Sequence, residues 1–162
     1  NKEIKENTSL MDLAPTLLSY SQCPALPECD GVNIIENLKG AAFEDNKRPI
    51  ISMCSDIKGD NPSAMIRKDK WKLIWHAGYE IKQLFDLEND PKELNDLGTS
   101  DDFRSVVEDL TAELSRYWNP EEELQRLSIA KENFALMKKW FQITDPPLVE
   151  EWRGDSSNNY LV

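Results

Sequence analysis

Few side chains in this sequence are equipped for chemistry. It has a single histidine, His76, and three cysteines, Cys23, Cys29 and Cys54. An active site needs a nucleophile or a metal, a base, and a group that holds developing charge, and these residues do not assemble one. G-x-S-x-G, a P-loop and G-x-G-x-x-G are all missing, so hydrolase elbows and nucleotide cradles lack their defining residues. The cysteine spacings fit neither a paired C-x-x-C metal site nor a disulfide scaffold. Cys23 and Cys29 flank a Pro-containing turn and can bridge in an oxidising compartment; the simpler reading is three reduced thiols. Glu121-Glu122-Glu123 stands where a helix start favours negative charge, which makes it a solvated feature and not a catalytic pair. His76 closes an apolar run and precedes Ala77-Gly78, so a loop there could present the imidazole to a ligand; the plainer role is a strand-end ring bonded locally. Arg67 is long enough to reach an anion, with many carboxylates competing for it. Trp71, Trp75, Trp118 and Trp140 read as packing residues before they read as a sugar platform.

Composition narrows the partners. The 162 residues carry 19 Lys plus Arg against 30 Asp plus Glu, a formal charge of -11, with no basic stripe to offset it locally. Binding nucleic acid by phosphate neutralisation is excluded, and so is docking on an anionic membrane surface. The apolar runs, such as Leu73-Ile74-Trp75, are far shorter than the roughly 18 residues that span a bilayer. The start, Asn1-Lys2-Glu3-Ile4-Lys5-Glu6, has no apolar signal-peptide core and no initiator Met, and an internal start is expected.

The elements that must position these residues read as α+β. A first helix is signalled by Thr8-Ser9 with Asp12 three residues after Ser9, a capping-box spacing, and by Leu10, Leu13, Leu17 and Leu18; Pro15 requires a late start or a kink. From Pro49 the pattern changes to short branched and aromatic runs. These predict strands near Ile50 to Cys54, Ala64 to Lys68, Trp71 to His76 and Gln83 to Leu87, a small four-stranded antiparallel sheet. Trp71, Leu73 and Trp75 alternate with Lys72, Ile74 and His76, so that strand should have one apolar and one mixed face. Phe103, Val106, Val107, Leu110, Leu114 and Tyr117 repeat at helical spacing and should cover one face of the sheet. A further helix starts at Asn119-Pro120, carries Leu124, Leu127, Phe134, Met137 and Phe141, and stops at Pro146-Pro147; an extended tail follows.

Motif order takes the reading further. Met11-Asp12-Leu13-Ala14-Pro15-Thr16-Leu17-Leu18, followed by Asp30-Gly31 and Lys39-Gly40, resembles the sulfatase stretch D-L-x-P-T-L-L…D-G…L-x-G. Arg48-Pro49 opening a strand, Ala64-Met65-Ile66-Arg67 leading to Trp71-Lys72-Leu73-Ile74, and Leu84-Phe85-Asp86-Leu87-Glu88-Asn89-Asp90-Pro91 with Glu93-Leu94-Asn95-Asp96-Leu97 resemble the family's C-terminal pattern in order. The resemblance covers about residues 8 to 118.

This resemblance implies a C-terminal part of a sulfatase of the alkaline-phosphatase superfamily. Residues 1–47 would link from an N-terminal catalytic domain, 48–118 would form the C-terminal subdomain, and 119–162 an additional helix and tail similar to those of choline-sulfatase-like members. In the family the nucleophile is a formylglycine made from the Cys of C-x-P-x-R, and a bound calcium assists. None of the three cysteines here fits that motif, so both cofactors are expected in the N-terminal domain and none in this chain, and the chain alone should be inactive. A sulfated small molecule or saccharide is the implied substrate, with the N-terminal domain as partner and a homo-oligomer through the C-terminal tail as a further expectation. Substrate-pocket candidates are His76, Arg67 and Asp145, the last by its place after the final helix. The alternatives are a phosphonate or phosphodiester hydrolase of the same superfamily and a stand-alone binding domain without chemistry.

Overall fold

Alternating branched and aromatic residues build four strands that pair in sequence order. The computed structural model describes residues 7–40, 48–55 and 61–145. In it β1 is Ile50–Cys54, β2 Ser63–Lys68, β3 Trp71–His76 and β4 Gln83–Asp86. All three pairings are antiparallel, giving the meander β1-β2-β3-β4. β2 turns into β3 through Asp69-Lys70, and Asp69 takes a left-handed φ of 50°, which Asp tolerates better than most side chains.

Register then sorts the faces. Ile51 lies opposite Ile66, Ile66 opposite Leu73, and Leu73 opposite Leu84, so one apolar row crosses all four strands. Ile66, Leu73 and Leu84 are wholly buried. Helix α3 (Arg104–Leu114) covers this row with Leu110 and Leu114, joined by Phe103, Val106 and Val107. Aromatic contacts close both ends: Trp71 meets Phe103 in a tilted pair with ring centres 5.5 Å apart, and Trp75 meets Trp118 edge-on at 5.4 Å. The expected stripe holds up to Leu114 and fails at Tyr117, which is 57% exposed. The regular helix ends at Leu114, and the amides of both Tyr117 and Trp118 donate to its carbonyl. That tightened turn breaks the 3.6-residue period and turns Trp118 inward in place of Tyr117.

The N-terminal elements are held by caps. Ser9 and Asp12 form the reciprocal capping box, opening a 3₁₀ turn at Leu10–Asp12 that runs into α1 (Leu13–Tyr20). Pro15 sits in the first turn of α1, where its missing donor has no partner to lose. The short α2 (Ile35–Lys39) ends at Gly40 with φ of 106°. After α3, Asn119 accepts from the amides of Glu121 and Glu122 and caps α4 (Pro120–Thr144). Asp145, at φ of 38°, closes α4 by donating its amide to the Phe141 carbonyl. The chain divides into two compact units, Asn1–Leu127 and Ser128–Val162. In the first, Leu124 and buried Leu127 belong to the opening turns of α4. The expected tail after Pro146-Pro147 lies outside the described residues.

Leu114 has no exposed surface at the centre of the helix–sheet contact. Leu114→Ala should therefore cost about 2–5 kcal/mol, whereas Tyr117→Ala should stay within about 0.5 kcal/mol of wild type. Urea midpoints of the two variants check this, and equal losses would contradict the placing of Tyr117 outside the core.

Candidate functional site

The segment after β4 is built around two carboxylates. Asp86, at the end of β4, accepts from Lys70 Nζ at 2.8 Å, from Asn89 Nδ2 at 2.9 Å and from the amides of Glu88 and Asn89. The Lys70 ammonium leads, and the Asn89 and Glu88 donors add to it; against the opposing push of burial they pull the Asp86 carboxyl down to about 2. Ten residues on, Asp96 Oδ1 accepts from the amides of Leu84 and Gly98, while the Leu97 amide donates to the Leu84 carbonyl. The returning chain thus takes up hydrogen-bonding groups on the outer side of β4. Gly98 is needed there, because a Cβ would stand 1.9 Å from the Lys82 carbonyl oxygen.

A third carboxylate ties the start of the chain to the sheet. Asp12 is fully buried and accepts from the amides of Ser9 and Val32 and from Arg48 Nη2. Burial alone would raise its pKa; the two amides and the Arg48 guanidinium reverse this and hold it below the ordinary carboxylate range. Thr16 Oγ1 donates to the Asp12 carbonyl and accepts from the Ile34 amide, extending the same lock. Gly31 passes so close that a Cβ would meet the Met11 carbonyl oxygen at 2.0 Å. Sequence reasoning found Asp12 only as a cap. Its pairing with Arg48, 36 residues away, joins two motif pieces whose common purpose no local spacing shows. A groove of about 570 Å³ opens beside this lock, lined by Ser9, Met11, Arg48, Pro49, Ile51 and Tyr117.

The sheet face turned away from α3 is mixed. Ile50, Met65 and Ile74 are half-buried on it, Phe85 is buried, and Arg67 and Lys72 are cross-strand neighbours. Two cations placed opposite each other repel. Glu93 meets Lys72 Nζ at 2.6 Å and relieves that side of the pair. Arg67 keeps a buried Nε without a hydrogen-bond partner and borders a groove of about 600 Å³ with Asp69, Lys70, Leu87 and Glu88. His76 is exposed at the end of β3, with its ring centre 6.3 Å from that of Tyr79. The connection beyond it is fixed by Trp75 Nε1 donating to the Tyr79 carbonyl and by Asn61 Nδ2 donating to the Ala77 carbonyl. His76 and Arg67 share a face without sharing a cluster: Ser63 is the residue opposite His76, and Arg67 lies four residues further along β2, about 13 Å away. Asp145 belongs to the second unit, where it lines a groove on α4 with Phe134, Met137, Lys138, Phe141 and Gln142.

Among the described residues no group of three or more His, Cys, Asp or Glu is placed to hold a metal ion. Cys23, Cys29 and Cys54 are free and exposed. Among those same residues no helix is long and apolar enough to cross a membrane.

Residues 1–120 match the family model described as N-sulphoglucosamine sulphohydrolase, C-terminal, and the chain belongs to that family. It is 30% identical over 150 residues to arylsulfatase K of Mus musculus, covering 86% of this chain and 26% of the relative. It is also 32% identical over 93 residues to choline-sulfatase of Rhizobium meliloti (strain 1021), covering 56% of this chain and 17% of that protein. The phosphonate monoester hydrolase of Agrobacterium radiobacter shares the fold, with a TM-score of 0.58 at 22% identity over 71% of this chain and 25% of that one. The chain therefore spans about a quarter or less of the length of these proteins.

Asp12 and Asp86 are both held below the ordinary value of 3.8. A group depressed in the fold contributes stability that is present above its unfolded pKa and lost as pH falls through its folded one. Stability should accordingly fall from about pH 4 downward, with the Asp86 share lost towards pH 2. Asp86→Asn should lower stability at pH 6 and flatten this acid limb. Urea midpoints at pH 6, 4 and 3 measure it, and an acid limb as steep as that of wild type would remove Asp86 from the account.

Proposed function

We propose that this chain is the C-terminal part of an enzyme that hydrolyses sulfate esters, where it gives an N-terminal catalytic domain a packing surface and forms an edge of the substrate pocket. The observation that carries the reading is the outer side of the first helix. Leu13, Leu17 and Tyr20 recur at i, i+4 and i+7 on α1, with Leu10 just before them, and all four are between 52% and 84% exposed. An apolar patch of this kind on a chain with a formed core marks an interface. Relatives about four times as long supply a domain to fill it. Formylglycine and calcium, held in that domain, supply the nucleophile and the stabilisation of sulfate oxygens. The isolated chain is then inactive towards aryl sulfates, and it binds hydrophobic dye through α1.

His76, Arg67 and Asp145 are the side chains of this chain assigned to the substrate, away from the sulfate. Arg67 suits an anionic group because its Nε is already desolvated without a partner. His76 is solvent-facing beside Tyr79, and its imidazole makes no hydrogen bond among the described residues, which leaves it available to a substrate hydroxyl or charge. Such contacts act equally on ground state and transition state. A phosphonate or phosphodiester hydrolase is the second reading, favoured by the fold shared with the Agrobacterium enzyme.

Two measurements on the full-length protein test these assignments. Specificity constants for an aryl sulfate and a phenylphosphonate monoester should favour the sulfate, and the reverse order would select the second reading. His76→Ala should raise KM about tenfold to a hundredfold with kcat nearly unchanged. Unchanged KM with a melting temperature lowered by several degrees would make His76 structural.

A further inference from the structure

Four cations on or beside the sheet are each met by a carboxylate: Arg48 by Asp12, Lys68 by Glu113, Lys70 by Asp86 and Lys72 by Glu93. Arg67 stands among them without one. It makes no ion pair or side-chain hydrogen bond among the described residues, and its Nε is buried with no partner. Carboxylates are not scarce in a chain with 30 Asp plus Glu against 19 Lys plus Arg. A desolvated donor left in this way has lost its bond to water and gained none in return, which destabilises the chain until an acceptor arrives.

The surroundings of Arg67 say what that acceptor is. In register, Ile50, Arg67, Lys72 and Phe85 form one row across the mixed face, so Arg67 has an apolar neighbour on one side and a cation on the other. Both features strengthen a contact with an oxyanion. The groove of about 600 Å³ that Arg67 borders is of the size that holds a small ligand. Its other borders set the charge: Lys70 is engaged by Asp86, and Asp69 and Glu88 are themselves anionic. One uncompensated guanidinium remains, which suits a single anionic group. We propose that Arg67 and this groove form a subsite for one oxyanionic substituent, a carboxylate or a second sulfate, that the substrate carries in addition to the sulfate ester cleaved. The inference rests on the reading of the chain as part of a sulfate-ester hydrolase, and it narrows the substrate from sulfate esters at large to those with a second negative charge.

Kinetics of the full-length protein on three matched esters test this: a neutral sugar monosulfate, and the same monosulfate carrying either a carboxylate or a second sulfate. At least one anionic ester should be favoured about tenfold to a hundredfold in kcat/KM, chiefly through KM, and which one it is separates the two sources of charge. Arg67→Gln should remove the preference, and Arg67→Lys, which keeps the charge without the planar fork, should retain part of it. A thermal shift reads binding apart from turnover: acetate or inorganic sulfate should raise the melting temperature of wild type more than that of Arg67→Gln. Equal kcat/KM for the three esters, or a preference that survives Arg67→Gln, would overturn the proposal. So would an Arg67→Gln protein that melts several degrees lower and slows all three esters alike, which would assign Arg67 to the boundary with the catalytic domain. Hydrolysis of none of the three would instead sink the sulfate-ester reading, and the difference in thermal shift would then decide whether the oxyanion subsite stands.

Discussion

A four-stranded meander has two faces, and among the described elements α3 is the helix laid along one of them. The whole arrangement follows from how that helix is used. α3 is given the row Ile51, Ile66, Leu73 and Leu84, and with Trp118 and Phe103 at its ends it buries Ile66, Leu73 and Leu84 fully and Ile51 in part. The other face has to be mixed, since no element of the first unit seals it as α3 seals its opposite. Its half-buried Met65 and Ile74 alternate with the cations Arg67 and Lys72, a composition suited to a boundary that is neither solvent nor core.

Charge does the stitching that apolar contact cannot do at the turns. Asp12 and Asp96 each gather backbone amides from separate stretches, Asp86 gathers those of the turn that follows it, and Asp12 and Asp86 add a cation. In each case the carboxylate replaces hydrogen bonds that regular secondary structure would have provided, which is why these positions need Asp and would not be served by a longer or neutral side chain. Glu93 acts in the same spirit by neutralising Lys72, one of two cations that the strand register places opposite each other.

Sequence periodicity was a good guide wherever a period was long enough to repeat. β1 and β3 fall on the expected residues, β2 and β4 differ by one at an end, and the Ser9–Asp12 box and the helix start at Asn119-Pro120 are formed as read. The failure at Tyr117 came where one turn of tighter hydrogen bonding ended the period, and nothing in residue type announced it. The candidate site was less legible. His76 and Arg67 could be named from residue chemistry, but their separation along β2 depends on register, and the Asp12–Arg48 pair depends on a closure across 36 residues. Long-range pairing of that kind is written in the sequence only as two distant motif pieces.

The return of the chain beside β4 has a consequence for growth of the sheet. With the Leu84 amide given to Asp96 and the Leu84 carbonyl taken by Leu97, β4 offers little backbone to an incoming strand. β1, at the opposite border, has no strand beyond it among the described residues, and its Ser52, Met53 and Cys54 are exposed. The sheet is therefore directional: it can be extended from one side and is terminated on the other. A longer protein built on this domain can continue the sheet only beyond β1, the border next to the Arg48 anchor.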